Sequence, residues 1–457
     1  MTRIGRAGYA DRMPASVLAA PVAHGVTGAV LTIVALLWVP AGHARWPAQA
    51  PVLPMPDPQQ YTIVHVATAQ ALANACWNLA SNRAIVIAPG TYDLASVSFP
   101  NGVDGRLTVG RFGAAPITNI VIRGATDDPR DVVVRGAGML DARVPYGFQL
   151  FTARQVTIAN LSVSGVFYHG IGIEGPQGAR DIHLYNLRVS DAGQQLIKGS
   201  GAGADDVLVE YVEAFYTEGA VAHPYASPPN TCYTNGIDIT GGHRWTIRDS
   251  LIRDIRCQDG SLAGPAILAW QGSMDTVVDR SVILDSSRGV ALGLIGPADH
   301  LRGMVRNTLV RWDVGASYAV DVPLYTTSPD ARLLHNTVLT RGRYGNAVEV
   351  RYAGATGVEV HGNLADAAIM PRNGAVPVLG HNVTSAQAAW FVDAATGDLR
   401  LTAQATPALS QVARRADAER DFTGHMRRSP PVLTDLGGLE RQSDTLFASG
   451  FESLPPR

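Results

Sequence analysis

The chain has 457 residues, a formal net charge of −2, 46% hydrophobic and 17% charged residues, 47 glycines and 28 prolines. An apolar, turn-rich composition of this kind excludes a disordered chain, and near-neutral charge leaves no basic stripe for nucleic acid. Of 37 basic side chains only Lys198 is a lysine. The arginine excess matches a GC-rich codon composition, so Lys198 is either a rare survivor or a residue arginine cannot replace.

In chain order, residues 1–44 read as an export signal. Arg3, Arg6 and Arg12 precede the apolar run Val26 to Val39, and small residues Gly42 and Ala44 come next at the positions a signal peptidase inspects. The run is short of the roughly 20 residues a permanent span needs. Cleavage after Ala44 is expected, with a retained anchor or a start at Met13 as the alternatives. The mature protein is then secreted, extracellular or periplasmic, with no membrane span. Residues 45–60 read as a linker.

"VATAQALANACWNLASN" has helical spacing and is expected to cap the first of the strand-rich segments downstream, blocking an open strand edge. From Gln155 onward short β-branched runs recur around Asn160, Asn186, Tyr211, Asp249, Arg280, Asn307, Asn336 and Gly362, spaced 26, 25, 38, 31, 27, 29 and 26 residues. Strand units of this length cannot bury their own apolar faces, so they stack into a solenoid with a shared core. The asparagines among these positions are expected to stack and hydrogen-bond along a column. The fold class is all-β, a single-stranded parallel β-helix over residues 61–381 with an N-terminal capping helix. Residues 382–440 lose the repeat and read as a C-terminal cap region, and 441–457 as a tail. A capped solenoid needs no partner, so a monomer is expected.

A second strand lies about 11 residues beyond each marked position. If Ile171, Ile197, Ile237, Ile267, Val290, Val320 and Val348 point inward, the outward column is Gly172, Lys198, Asp238, Leu268, Ala291, Asp321 and Glu349. Two residues further on lie Glu174, Ser200, Thr240, Trp270, Pro323 and Arg351. Lys198 and Asp238 therefore fall within ion-pair range on an outward face. The long loop between the third and fourth repeats carries His223, Tyr225, Tyr233 and Asn235, and the next loop carries Arg253, Arg256 and Asp259. Long loops on a rigid scaffold are where chemistry usually sits. Cys232 and Cys257 lie on these neighbouring loops and are expected to pair, leaving Cys76 a buried free thiol.

"IVIAPGTYDL", the "N-T/L-x-V" turns and "DLGGLE" are similar to bacterial right-handed parallel β-helix proteins of the pectate-lyase-like superfamily. That resemblance covers about residues 60–440 and implies a right-handed solenoid. "LIKGSGAGADDVLVEYVEAF" resembles the segment of family 6 polysaccharide lyases in which a base lysine precedes the next coil. The acidic calcium-holding residues of that family are replaced by "GQQ", and its following arginine meets "EGAVAHPY". No cofactor is certain; calcium, if used, would come from Asp238 and Asp321.

Three functions are compatible with these residues, each with polysaccharide as partner. β-Elimination on an acidic glycan would use Lys198, set beside Asp238, as base, Arg253, Arg256 or Arg288 as carboxylate clamp, and Tyr233 or His223 as proton donor. A non-catalytic carbohydrate-binding protein would stack sugars on Trp270, Tyr233 and Tyr225. In either case Asn235, Asp321, Glu349 and Arg351 would supply hydrogen bonds. A glycoside hydrolase would pair Asp238 with Glu174 or Asp321.

Overall fold

The computed structural model describes residues 49–100, 105–315 and 317–441. The expected export signal, and the tail from residue 442, lie outside the described residues. Among the described residues no helix is long and apolar enough to cross a membrane.

The chain is a parallel β-helix. Ten short strands stack into one parallel sheet: Leu107–Val109, Tyr146–Leu150, His169–Glu174, Ile197–Ser200, Ile237–Thr240, Pro265–Trp270, Arg288–Leu292, Leu324–Thr326, Asn346–Arg351 and Ala368–Arg372. Most other coil strands join a larger parallel sheet of twenty strands, and Ser273–Met274 pairs with His300–Leu301 in a small parallel sheet of its own. One turn of the solenoid runs Thr246–Arg248, a bend at Asp249, Leu251–Arg253, a loop, then Pro265–Trp270. Alternation within each strand sends one apolar set inward, and coil stacking turns that set into columns. Ile171, Ile197, Ile237, Ile267, Val290, Leu324 and Val348 form one such column, all buried. The helix Ala69–Trp77 adds Leu72, Ala73 and Cys76 to the same core.

The periodic marker is a backbone conformation. Asn160, Asn186, Tyr211, Asp249, Arg280, Asn307 and Gly362 all have φ between 43° and 71°, the left-handed region. Asparagine and aspartate tolerate it better than most residues, which explains their recurrence there. The eighth position is His335 at φ 52°, so the assignment to Asn336 is one residue late. Asn336 belongs instead to a ladder one step along: its Nδ2 donates to Asn363 Oδ1 at 3.0 Å, and Asn363 Nδ2 donates to Asn382 Oδ1 at 2.9 Å. Asn186 donates to Asn160 in the same manner at 2.8 Å. Asn363 Oδ1 also accepts the backbone N–H of Asn336, which is buried. Asn363→Ala is expected to strand that donor and cost about 1–3 kcal/mol, read as a lower urea midpoint at unchanged slope.

Two flanking segments pack on the solenoid. The stretch read as linker is docked: Pro51 accepts from Tyr185 Oη at 2.5 Å, and Leu53 and Pro54 accept from the buried guanidinium of Arg123. The region read as a C-terminal cap crosses the last coil, with Ala386 N donating to Ala365 O. It then runs back along the flank, where Trp390, Phe391, Phe422 and Leu436 pack on Leu251, Val282, Leu309, Leu339 and Leu364. Those five leucines and valines face outward from successive coils and need such a cover.

Candidate functional site

The outer face of the ten-stranded sheet presents a column whose register is Gln149, Gly172, Lys198, Asp238, Leu268, Ala291, Tyr325, Glu349 and Met370. Tyr325 stands where Asp321 was expected. The sequence "YAVDVPLY" alternates in one parity from Val320 to Leu324, so alternation alone fits several starts. Pro323 lacks the N–H a ladder needs, and the strand begins after it. Asp321 and Pro323 thus leave their expected columns, and Asp321 lies beside the sheet, accepting from Arg288 Nε at 3.1 Å.

Lys198 is where the sequence placed it. Its Nζ donates to Asp238 Oδ2 at 2.5 Å and to Thr240 Oγ1 at 2.7 Å. Trp270 Nε1 holds the other oxygen, Asp238 Oδ1, at 2.9 Å. The Asp238 side chain is 0% exposed and that of Lys198 is 15% exposed, so Lys198 alone of the pair meets solvent. Two of its three N–H donors are occupied.

In four coils a glycine marks a corner of the face. Gly147, Gly170, Gly236 and Gly289 occupy that corner, where a Cβ on Gly170 would lie 2.5 Å from Val189 Cγ1 and one on Gly236 2.7 Å from Ile252 Cγ2. Side-chain parity changes there, and the residue before the corner borders the outward column. This brings His169 and Gln195 beside Lys198, a pair the sequence reading passed over. Burial, with the Lys198 ammonium second, pushes the His169 imidazole down to about 3, so it is neutral; its ring bonds the Gln195 backbone. Its Nδ1 has no partner, and neither has Nε2 of the buried Gln195 side chain. Tyr233 contacts Gln195; burial and then the Asp238 carboxylate push its phenol up, which keeps it protonated. An ammonium and a phenol thus stand close together, with two orphaned polar atoms buried near them.

Other candidates are engaged elsewhere. His223 is 0% exposed, packed 4.4 Å from Phe167 and accepting the Tyr225 N–H, so it pins its own loop. Asn235 is buried and donates to Pro265 O at 2.8 Å. Arg253 stacks on Phe215 and pairs with Glu213 and Asp254 in the larger sheet. Arg256 lies 5.4 Å from the Tyr318 ring centre and 3.5 Å from Asp254. Cys232 and Cys257 are joined by a disulfide that ties the two loops, and Cys76 is buried and free.

The carboxylates do not assemble for hydrolysis or for calcium. Glu174 accepts from Gln149 Nε2 at 2.8 Å, and Asp238 is sealed by Lys198, Trp270 and burial. Asp321 pairs with Arg288, which lies three coils from Lys198, on the order of 14 Å at ~4.8 Å per strand. Counted from Asp238, the carboxylate it would have to work with, the Arg288 strand is two steps away, on the order of 10 Å, so the ion pairs rather than distance hold these carboxylates back from hydrolysis. Gln194 and Gln195 offer amides where calcium would need carboxylates, and among the described residues no cluster of three or more His, Cys, Asp or Glu is arranged for a metal ion.

Further along, Glu349 is 0% exposed and accepts from Tyr344, Asn346, Arg351 and Arg372. Burial opposes its charge, but the hydrogen bonds of Asn346 and Arg351 outweigh this and lower its pKa. Between the Lys198 and Glu349 centres lies an outward apolar strip of Leu268, Ala291, Val322 and Tyr325, with Trp270, Leu294 and Tyr344 against it.

No family model matches the chain, and no curated protein matches it. Among solved structures, an alginate lyase from Paenibacillus sp. str. FPU-7 is 18% identical at TM-score 0.46, covering 70% of this chain and 99% of its own. Pectate lyase Pel9A is 13% identical at TM-score 0.49, covering 84% and 97%. PfbA, a surface adhesin of Streptococcus pneumoniae, is 10% identical at TM-score 0.36, covering 69% and 85%. At such identity these are likenesses of fold.

Proposed function

We propose that the protein is exported and cleaves an acidic, uronate-containing polysaccharide by β-elimination on the outer face of the ten-stranded sheet. The observation that carries this reading is the patch around Lys198. An ammonium held by a fully buried carboxylate sits there with a protonated phenol and two unpartnered polar atoms. Polar atoms buried without partners cost stability in the free protein, and a ligand that satisfies them recovers it.

In this reading a glycan laid along the column covers the Lys198–Asp238 pair. Loss of the last water favours a neutral pair over an ion pair, and the proton passes from Nζ to Oδ2 across their hydrogen bond. The free amine of Lys198 takes the proton α to the uronate carboxylate; the C–H electrons form the sugar double bond, and the bond to the glycosidic oxygen breaks. Tyr233 donates a proton to that oxygen. Gln195, buried against Tyr233, holds that phenol in place. His169, with its N–H committed, offers Nδ1 as an acceptor for a sugar hydroxyl. No step uses a metal.

The Lys198–Asp238 bond itself favours a second reading, in which the pair stays ionic and the face binds acidic glycan without cutting it. Ultraviolet absorbance of unsaturated uronate separates the two. Residues 45–457 are incubated with alginate, pectate, glycosaminoglycans and bacterial exopolysaccharides, and binding is followed in parallel. Growing absorbance on one polymer is the expected result. Binding without absorbance leaves the non-catalytic reading in its place.

A further inference from the structure

We propose that the concavity between Arg288 and Arg351 is a second carboxylate subsite, which anchors a uronate three to four coils from Lys198. It rests on the proposed glycan track and names what the far end of that track takes. The concavity measures about 370 Å³, with Ala291, Leu294, Val322 and Tyr325 among its lining and Arg288 and Arg351 at its sides.

The concavity carries an excess of positive charge at its edges. Three guanidiniums, Arg288, Arg351 and Arg372, share two carboxylates, Asp321 and Glu349. Arg288 is fixed through a single nitrogen and Arg351 chiefly along one edge. Arg288 spends Nε on Asp321, and Arg351 spends Nε and one terminal nitrogen on the buried Glu349 while lying 4.8 Å from the Tyr325 ring centre. Among the described residues Arg288 keeps both terminal nitrogens without a hydrogen-bond partner, and beyond Glu349 Arg351 bonds only the Tyr325 phenol. A guanidinium held this way presents planar donors that fit a carboxylate. The apolar floor suits the less polar face of a pyranose ring. Ala291 is three coil steps from Lys198, on the order of 14 Å, with Leu268 and Trp270 between, so one extended chain reaches both centres.

The test is calorimetric binding of oligouronates from dimer to octamer, and of the carboxyl-reduced octamer, to the full chain carrying Lys198→Arg, which prevents turnover. In that background Arg288→Gln is expected to weaken the octamer about tenfold and leave the dimer unchanged. Ala291→Leu, which fills the floor without touching charge, is expected to do the same. The carboxyl-reduced octamer is expected to be insensitive to Arg288→Gln. Equal loss at every length, no loss at any length, or equal sensitivity of the reduced chain overturns the subsite. The elimination reading fails separately: an unmutated protein that binds these chains with the same length dependence, yet produces no absorbance, keeps the subsite and loses the chemistry. Failure of every oligouronate to bind overturns both.

Discussion

Lys198→Arg is expected to lower the rate of unsaturated uronate formation by about a thousandfold, within the span general acid–base catalysis supplies, while binding of the same polymer changes less than threefold. The substitution keeps a cation opposite Asp238 and a donor within reach of Thr240, so fold and electrostatics persist. What it removes is the ability to part with a proton, because a guanidinium stays charged at any working pH. In a chain whose every other basic residue is arginine, this is the one position where the difference between the two cations has a chemical use. If the arginine variant retains a tenth or more of the rate, Lys198 is not the base. Tyr233→Phe gives the complementary check. It removes the proposed donor without disturbing the ion pair, and is expected to lower turnover about a hundredfold with little change in affinity. A variant that loses binding instead would make Tyr233 a stacking platform.

Much of the fold and part of the site are legible in the sequence, and the reason is repetition. Inward and outward columns come from alternation within strands and from nearly constant spacing between them, so Lys198 falls opposite Asp238 by counting alone. Legibility ends where the repeat does. The loops carrying His223 and Arg256 have no period, and nothing local says that His223 turns under Phe167 or that Arg256 turns toward Tyr318. Asp321 is misplaced by counting because Val320, Val322 and Leu324 share one parity and only Pro323 selects among them. His169 and Gln195 escape for a subtler reason. Both sit before a corner at which side-chain parity flips, so strict alternation from Ile171 and Ile197 assigns them inward. For His169 the signal available is the glycine that recurs at that corner in "YGFQ", "HGIG", "NGID" and "RGVA", marking a close approach of the backbone to the core; Gln195 precedes Leu196, and its coil carries no such mark.

Acidification from pH 6.5 towards 4.5 is expected to destabilise the solenoid steeply, through histidines buried in neutral form. Burial pushes His300 down to about 3, and its ring nitrogens lie 3.0 Å from Thr276 Oγ1 and Ser328 Oγ. Burial, with the Arg427 guanidinium second, holds His335 well below the ordinary histidine range. Both residues are 0% exposed. A folded-state value depressed below the unfolded one means the unfolded chain binds more protons through the interval between them. Stability is therefore full above about pH 6.5 and falls as pH drops towards the folded value. Each group contributes a slope of roughly 1.4 kcal/mol per pH unit across that window, so the two together approach ~2.7 kcal/mol per unit. His169, His223 and His361 are lowered as well and act with the same sign. Carboxylates such as Asp417, held at about 2 first by its hydrogen bond to Arg415, respond only below the ordinary carboxylate range and leave this window to the histidines. Urea midpoints at successive pH values measure the slope. His300→Gln, whose amide can meet both hydroxyls without titrating, is expected to remove close to one proton from it. An unchanged slope in that variant would mean that His300 already carries its proton in the folded protein and that its neighbours tolerate a buried charge.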